Sequence, residues 1–292
     1  MKKPNPNSYS RRSFLKRCGL ASGITAGLPI RTAHPEPRYR CTPIISGALR
    51  WVSAAYAEPD FMDTWNRELA EEQALGFDLV WLVNTRALLE NDDTRNRLRA
   101  LLDACGTRKV LLDTAMSPRW YIEPNVDHEM ALVNRQIQDV VNAVGNHPAF
   151  YGWYVPQEIY VAWDAFGEFI NKFYPTVVEA CKKATPQKPV TLSPFFILDK
   201  TGVFGDFRYA EPDEYRDYWT KLIRLSGFDI IMLQDSGEHF SYVTNEQRRP
   251  FFEAMRAACD ANGAKLWGNV ESAEFDCPSI EEYEKRYGRV HH

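Results

Sequence analysis

Seven short apolar runs, each followed by a longer helical stretch, predict an α/β fold of the (β/α)8 TIM-barrel type. The runs are nearly continuous in Val, Ile, Leu, Phe and Trp, as in parallel strands covered on both faces. Helix-start and helix-stop signals fall between them in the required order. No Gly-x-Gly-x-x-Gly or phosphate-cradling motif favours a doubly wound sheet instead.

The first strand is expected at 43–51 and the first helix at 60–75. The second strand is 77–83 (FDLVWLV) with a helix at 91–105, and the third is 109–113 (KVLLD) with a helix at 127–144. The fourth pair is 150–155 and 164–184, and the fifth is 189–195 and 213–225. The sixth strand, 228–234 (FDIIMLQ), precedes a helix at 244–261. The seventh, 264–270 (AKLWGNV), precedes a helix at 279–287. Thr244-x-x-Gln247 and Ser279-x-x-Glu282 are capping boxes that satisfy orphan amides at helix starts. Gly76, Gly227 and Gly263 stand between a helix and the next strand, where a left-handed cap is wanted. A complete barrel needs an eighth strand and helix, and 22 residues follow Val270. The expectation is a barrel lacking its eighth β/α unit, through C-terminal truncation in preference to an open barrel or an N-terminus that fills the gap.

The chain of 292 residues divides into 1–33, an export signal, and 41–292, the barrel. Ser10-Arg11-Arg12-Ser13-Phe14-Leu15-Lys16 reads as a twin-arginine motif, followed by a weakly apolar stretch too short to span a membrane. The expected location is periplasmic or secreted, with no membrane association once the signal is removed. Without 1–33, 28 Lys and Arg stand against 39 Asp and Glu, a net of −11. Such a body disfavours nucleic acid and anionic membrane as partners and admits a neutral or cationic substrate. Cys105, Cys181 and Cys259 fall late in helices and read as small buried residues. Cys41 and Cys277 flank the barrel and are a candidate pair in an oxidising compartment. Oligomeric state is not legible.

Chemistry in such barrels gathers where strands end. Two carboxylates stand there: Glu158 after the fourth strand and Glu271 after the seventh. These strands lie across the mouth from each other, so the two side chains can converge. A retaining glycosidase needs one carboxyl to protonate the leaving oxygen and another to attack the anomeric carbon, about 5–5.5 Å away. The expected substrate-binding residues are Trp51, Asn84, Asp113, Trp120, Trp153, Tyr154, Gln157, Gln234, Asp235 and Asn269, and Arg50 stands at the end of the first strand. The tryptophans offer flat faces to sugar C–H groups. No cofactor and no metal is expected: the six His are scattered, and no His-x-His follows the first strand. The rival without turnover is a carbohydrate-binding barrel that keeps the cleft.

Three segments carry a family resemblance: HPAFYGWYVPQE at 147–158, FDIIMLQD at 228–235 and LWGNVE at 266–271. Over about residues 43–280 the chain resembles the domain-of-unknown-function 4434 family, grouped with glycoside-hydrolase TIM barrels. The layout is similar to the large glycosidase clan with its acid/base after strand four and its nucleophile after strand seven. That resemblance implies a carbohydrate substrate, Glu158 as acid/base and Glu271 as nucleophile. One departure is Gln157, where those enzymes usually carry Asn.

Overall fold

The computed structural model describes residues 46–58, 60–198, 200, 208–236 and 244–270. The expected signal at 1–33, Cys41, Glu271, Cys277 and the helix at 279–287 lie outside them. Seven parallel strands pair in sequence order: β1 (Gly47–Trp51), β2 (Leu79–Val83), β3 (Lys109–Asp113), β4 (Phe150–Val155), β5 (Val190–Leu192), β6 (Ile230–Gln234) and β7 (Lys265–Asn269). Six helices alternate with them: α1 (Phe61–Ala74), α2 (Asp92–Cys105), α3 (Val126–Val144), α4 (Asp164–Ala184), α5 (Pro212–Ser226) and α6 (Asn245–Asp260). The sheet curls as a TIM barrel does, with seven strands among the described residues. No described helix is long and apolar enough to cross a membrane.

Local signals set the helix starts. Asn91 and Thr94 form a capping box at α2, and Thr244 and Gln247 form the expected one at α6. Gly76, Gly227 and Gly263 all adopt positive φ, as the helix-stop reading requires.

Two apolar layers separate by strand alternation. Val80, Leu82, Val110, Leu112, Val190, Leu192, Ile231 and Leu233 face outward and pack under the helices. Leu79, Trp81, Val83, Leu111, Tyr154, Ile230 and Met232 fill the barrel interior. β2 and β6 are buried throughout, while Leu49 and Trp51 of β1 are 45% and 57% exposed.

β4 breaks the alternation. Its register against β3 shifts between Val110 and Leu111, so Val110 pairs with Phe150 but Leu111 with Gly152. That bulge adds one residue and flips the facing of the residues after it. Tyr151 and Tyr154 therefore both face the interior, while Phe150, Trp153 and Val155 face the helices. Glycine is required at the bulge: a Cβ on Gly152 would lie 2.6 Å from the Pro189 carbonyl oxygen.

Candidate active site

The inward row at the strands' C-terminal ends builds a polar ring across β4 to β7. The bulge points Tyr154 inward, and its hydroxyl donates to Glu158 Oε1 four residues on. Glu158 Oε2 accepts from Gln234 Nε2 at 2.7 Å. The same amide donates to the Ser193 carbonyl at 2.8 Å. Asn269 Nδ2 donates to Ser193 Oγ at 3.0 Å, and Ser193 Oγ donates to the Met232 carbonyl at 2.8 Å. Four strand ends are thus tied around one half-buried carboxylate.

Burial pushes the Tyr154 hydroxyl well above its ordinary range, and the charge of Glu158 pushes it further. Tyr154 is therefore a donor at any physiological pH, and the Gln234 amide is a permanent one. The two donated bonds hold the two oxygens of Glu158 in one orientation.

The expected site residues divide. Glu158, Tyr154, Gln234 and Asn269 meet in the ring. Asp235 is half-buried beside it, its amide donating to the Asn269 carbonyl at 3.0 Å. Trp51 and Asn84 stand exposed at the ends of β1 and β2. Trp120 is 9% exposed and packs on Tyr121 and Phe166, with centroids 5.5 and 5.7 Å away. Tyr121, 40% exposed, is the more open ring of that loop.

Three expectations are corrected by the structure. Trp153 is fully buried on the helix side, its indole N–H donating to Thr185 Oγ1 at 2.7 Å. The β4 bulge turns it away from the mouth. Gln157 is fully buried, its amide held by the Ala115 carbonyl at 3.1 Å and Glu129 Oε2 at 3.0 Å. Asp113 is 3% exposed and accepts from Asn84 N at 2.9 Å, Thr85 N at 3.1 Å and Thr85 Oγ1 at 2.5 Å. It fixes the turn after β2 and is closed to a ligand. Burial raises its carboxyl above the usual range, opposed by the bonds from Thr85 and Asn84. Arg50 alternates outward, pairing with Glu68 and with Glu72 at 2.6 Å beneath α1.

Ser193 and Glu129 are the site's unexpected members. Ser193 is one serine in an ordinary post-strand segment, and Glu129 looks like any acid in a first helical turn. Only the side-chain partners reveal them. Glu271 and Glu274, on the segment after β7, lie outside the described residues, as does His239. Among the described residues no three His, Cys, Asp or Glu side chains gather as metal ligands would.

Known structures share this architecture at low identity. A candidate α-L-fucosidase from Bacteroides thetaiotaomicron superposes with a TM-score of 0.64 and 18% identity, over 92% of this chain and 89% of that one. An endo-β-1,4-mannanase from Thermotoga petrophila gives 0.53 and 12%, over 84% of this chain and 66% of that one. A β-galacturonidase from Eisenbergiella tayi gives 0.50 and 14%, over 77% of this chain and 35% of that one. These likenesses show the TIM-barrel fold. No curated protein sequence matches the chain. The family model described as "Domain of unknown function (DUF4434)" matches residues 61–286, and the chain belongs to that family.

Proposed function

We propose that the protein is a glycoside hydrolase that cleaves a glycosidic bond by a two-carboxylate retaining mechanism. Glu158 acts as acid/base and Glu271 as nucleophile. The observation that carries this reading is the placement of Glu158. It sits at the C-terminal end of β4, half-buried, with both oxygens held by Tyr154 and Gln234. Enzymes of this architecture carry their catalytic groups on that face.

In the first step Glu158 donates a proton to the leaving oxygen while Glu271 attacks the anomeric carbon, and the C–O bond to the leaving group breaks. In the second, Glu158 takes a proton from water as it displaces Glu271. Tyr154 and Gln234 steady the charge that appears on Glu158 between the steps. For the first step Glu158 must be protonated against those donors. Desolvation by a bound sugar and the negative charge of Glu271 supply that push. Trp51 offers a flat apolar face to the sugar, and Asn84, Asp235 and Asn269 offer polar contacts.

The experiment is hydrolysis of a glycan panel by the full chain, followed by two variants. Glu271→Ala loses turnover, and azide restores it with inverted product. Glu158→Ala loses about 10²–10⁴-fold on poor leaving groups, spares activated aryl glycosides, and yields a retained glycosyl azide. Two active variants would sink the assignment. Oligosaccharide binding without any turnover would instead identify a carbohydrate-binding barrel.

A further inference from the structure

Glu129, in the first turn of α3, is 1% exposed. An acid at a helix start usually faces water, near the positive end of the helix dipole. This one turns inward. Its Oε2 accepts from Ser117 N at 3.2 Å and from Gln157 Nε2 at 3.0 Å. The Gln157 amide also donates to the Ala115 carbonyl, and the Gln157 carbonyl accepts from the Tyr174 hydroxyl at 2.5 Å. Ala115 holds φ at 77°, a strained value for a residue with a Cβ.

Four segments therefore meet at one buried carboxylate. They are the strained turn after β3, the loop carrying Trp120 and Tyr121, helix α3, and the end of β4 immediately before Glu158. The cluster is also costly. Glu129 Oε1, Gln157 Oε1 and Thr114 Oγ1 are buried with no protein partner, and each such atom costs about 1–3 kcal/mol in desolvation. Apolar side chains of similar volume fill such a space at lower cost. Packing alone does not account for the cluster.

We propose that Glu129 and Gln157 are positioning residues. Together they form a buried strut that fixes Glu158 and the β3–α3 loop as one unit, so that Tyr121 on that loop and the acid/base keep a set separation. This inference rests on Glu158 acting as proposed above. It also removes Gln157 from sugar recognition, since its amide is taken up by protein groups.

The test is a double-mutant cycle in the full chain, with glycan turnover and hydrogen exchange read in parallel. Glu129→Ala and Gln157→Asn each lower kcat by about 10–100-fold with a smaller change in KM, because a catalytic group shifts by a fraction of an ångström. The double variant is no worse than the worse single, as expected for one shared contact. Glu129→Gln restores turnover, because its oxygen accepts from Ser117 and Gln157 as Oε2 does. Exchange speeds up together at 114–125 and 156–160 in Glu129→Ala. If Gln157→Asn raises KM with kcat unchanged, Gln157 touches substrate and the strut is wrong. Additive single effects, or exchange confined to one of the two segments, also overturn it. A wild type with no turnover defeats the hydrolase reading alone, and the exchange result still decides the strut. Should Glu129→Ala not fold, Gln157→Asn, shorter by one methylene, carries both readouts.

Discussion

The two ends of the barrel solve the same backbone problem with different residues. Among the described residues, eight positions have positive φ in the left-handed range. At the floor, where helices end and strands begin, all four are glycines: Gly76, Gly106, Gly227 and Gly263. At the mouth, where strands end and helices begin, none is: Asn84, Ala115, Asp164 and Ser236. Glycine makes that turn without strain, whereas a residue with a Cβ incurs about 1–2 kcal/mol. The difference extends to charge. The floor holds a cleft of about 610 Å³ lined by Tyr151, Lys182, Arg224, Asp229 and Lys265. Its volume suggests a site, but its charges serve the fold. Lys182 and Arg224 lie in the last turns of α4 and α5 and meet the negative ends of those helices. Lys182 also pairs with Asp229 at 2.8 Å. The mouth holds strained turns, buried carboxylates and unpartnered polar atoms, and strain of this kind collects at functional sites.

The largest expected effect comes from the bulge that sets the mouth. Gly152→Ala places a methyl 2.6 Å from a backbone oxygen, so the β4–β5 pairing must shift. Overpacking of this kind costs about 1–3 kcal/mol. A shift in β4 also turns Tyr154 away from Glu158, so oligosaccharide binding and turnover fall with stability. At the floor Gly263→Ala meets no atom within 4 Å and leaves turnover unchanged. Equal loss of turnover in the two variants would dissolve the distinction between the ends.

A smaller effect, of opposite sign at the two ends, comes from the left-handed positions themselves. Ala115→Gly relieves strain and is expected to stabilise by about 0.5–1 kcal/mol, while turnover falls as the turn loosens. Gly263→Ala is expected to destabilise by about 1 kcal/mol through backbone strain alone. Urea unfolding of both variants beside the wild type checks the pair. A destabilised Ala115→Gly would mean that the mouth turn is not under strain.

The features legible in the sequence are those set locally. Apolar runs place seven strands, β3 and β4 to the residue, and Thr244 with Gln247 and the three glycines mark helix ends. Placing Glu158 at a strand end needs only the length of β4. Side-chain direction is another matter. Strict alternation along β4 does not reveal that Trp153 faces the helices and Tyr154 the interior. That outcome depends on a register shift against β3 and on the approach of Pro189 to Gly152, both non-local. Asp113 and Gln157 look like exposed strand-end polar groups because nothing in their neighbourhood announces the partners that bury them. Those partners, Thr85 and Glu129, lie 28 residues away in each case.

The smallest expected effect concerns the second buried carboxylate of the mouth. Asp113 is closed off from solvent, and burial raises its carboxyl above the ordinary value of 3.8. A raised folded-state value means that the folded chain holds its proton longer than the unfolded chain does. The contribution to stability is therefore full below 3.8 and declines as pH rises through the folded value. Asp113→Asn cannot titrate, so its stability lacks that decline. It keeps an oxygen for Thr85 and turns an N–H toward the Asn84 amide, as the O–H of the protonated wild-type carboxyl does, so at acidic pH the two proteins differ little. As pH rises through the folded value, the wild type should lose stability relative to the variant. Denaturant unfolding of both proteins from acidic to neutral pH measures the gap. A wild type that instead gains on the variant as pH rises would show that the bonds from Thr85 and Asn84 outweigh burial, making Asp113 an ionised anchor of the β2 turn.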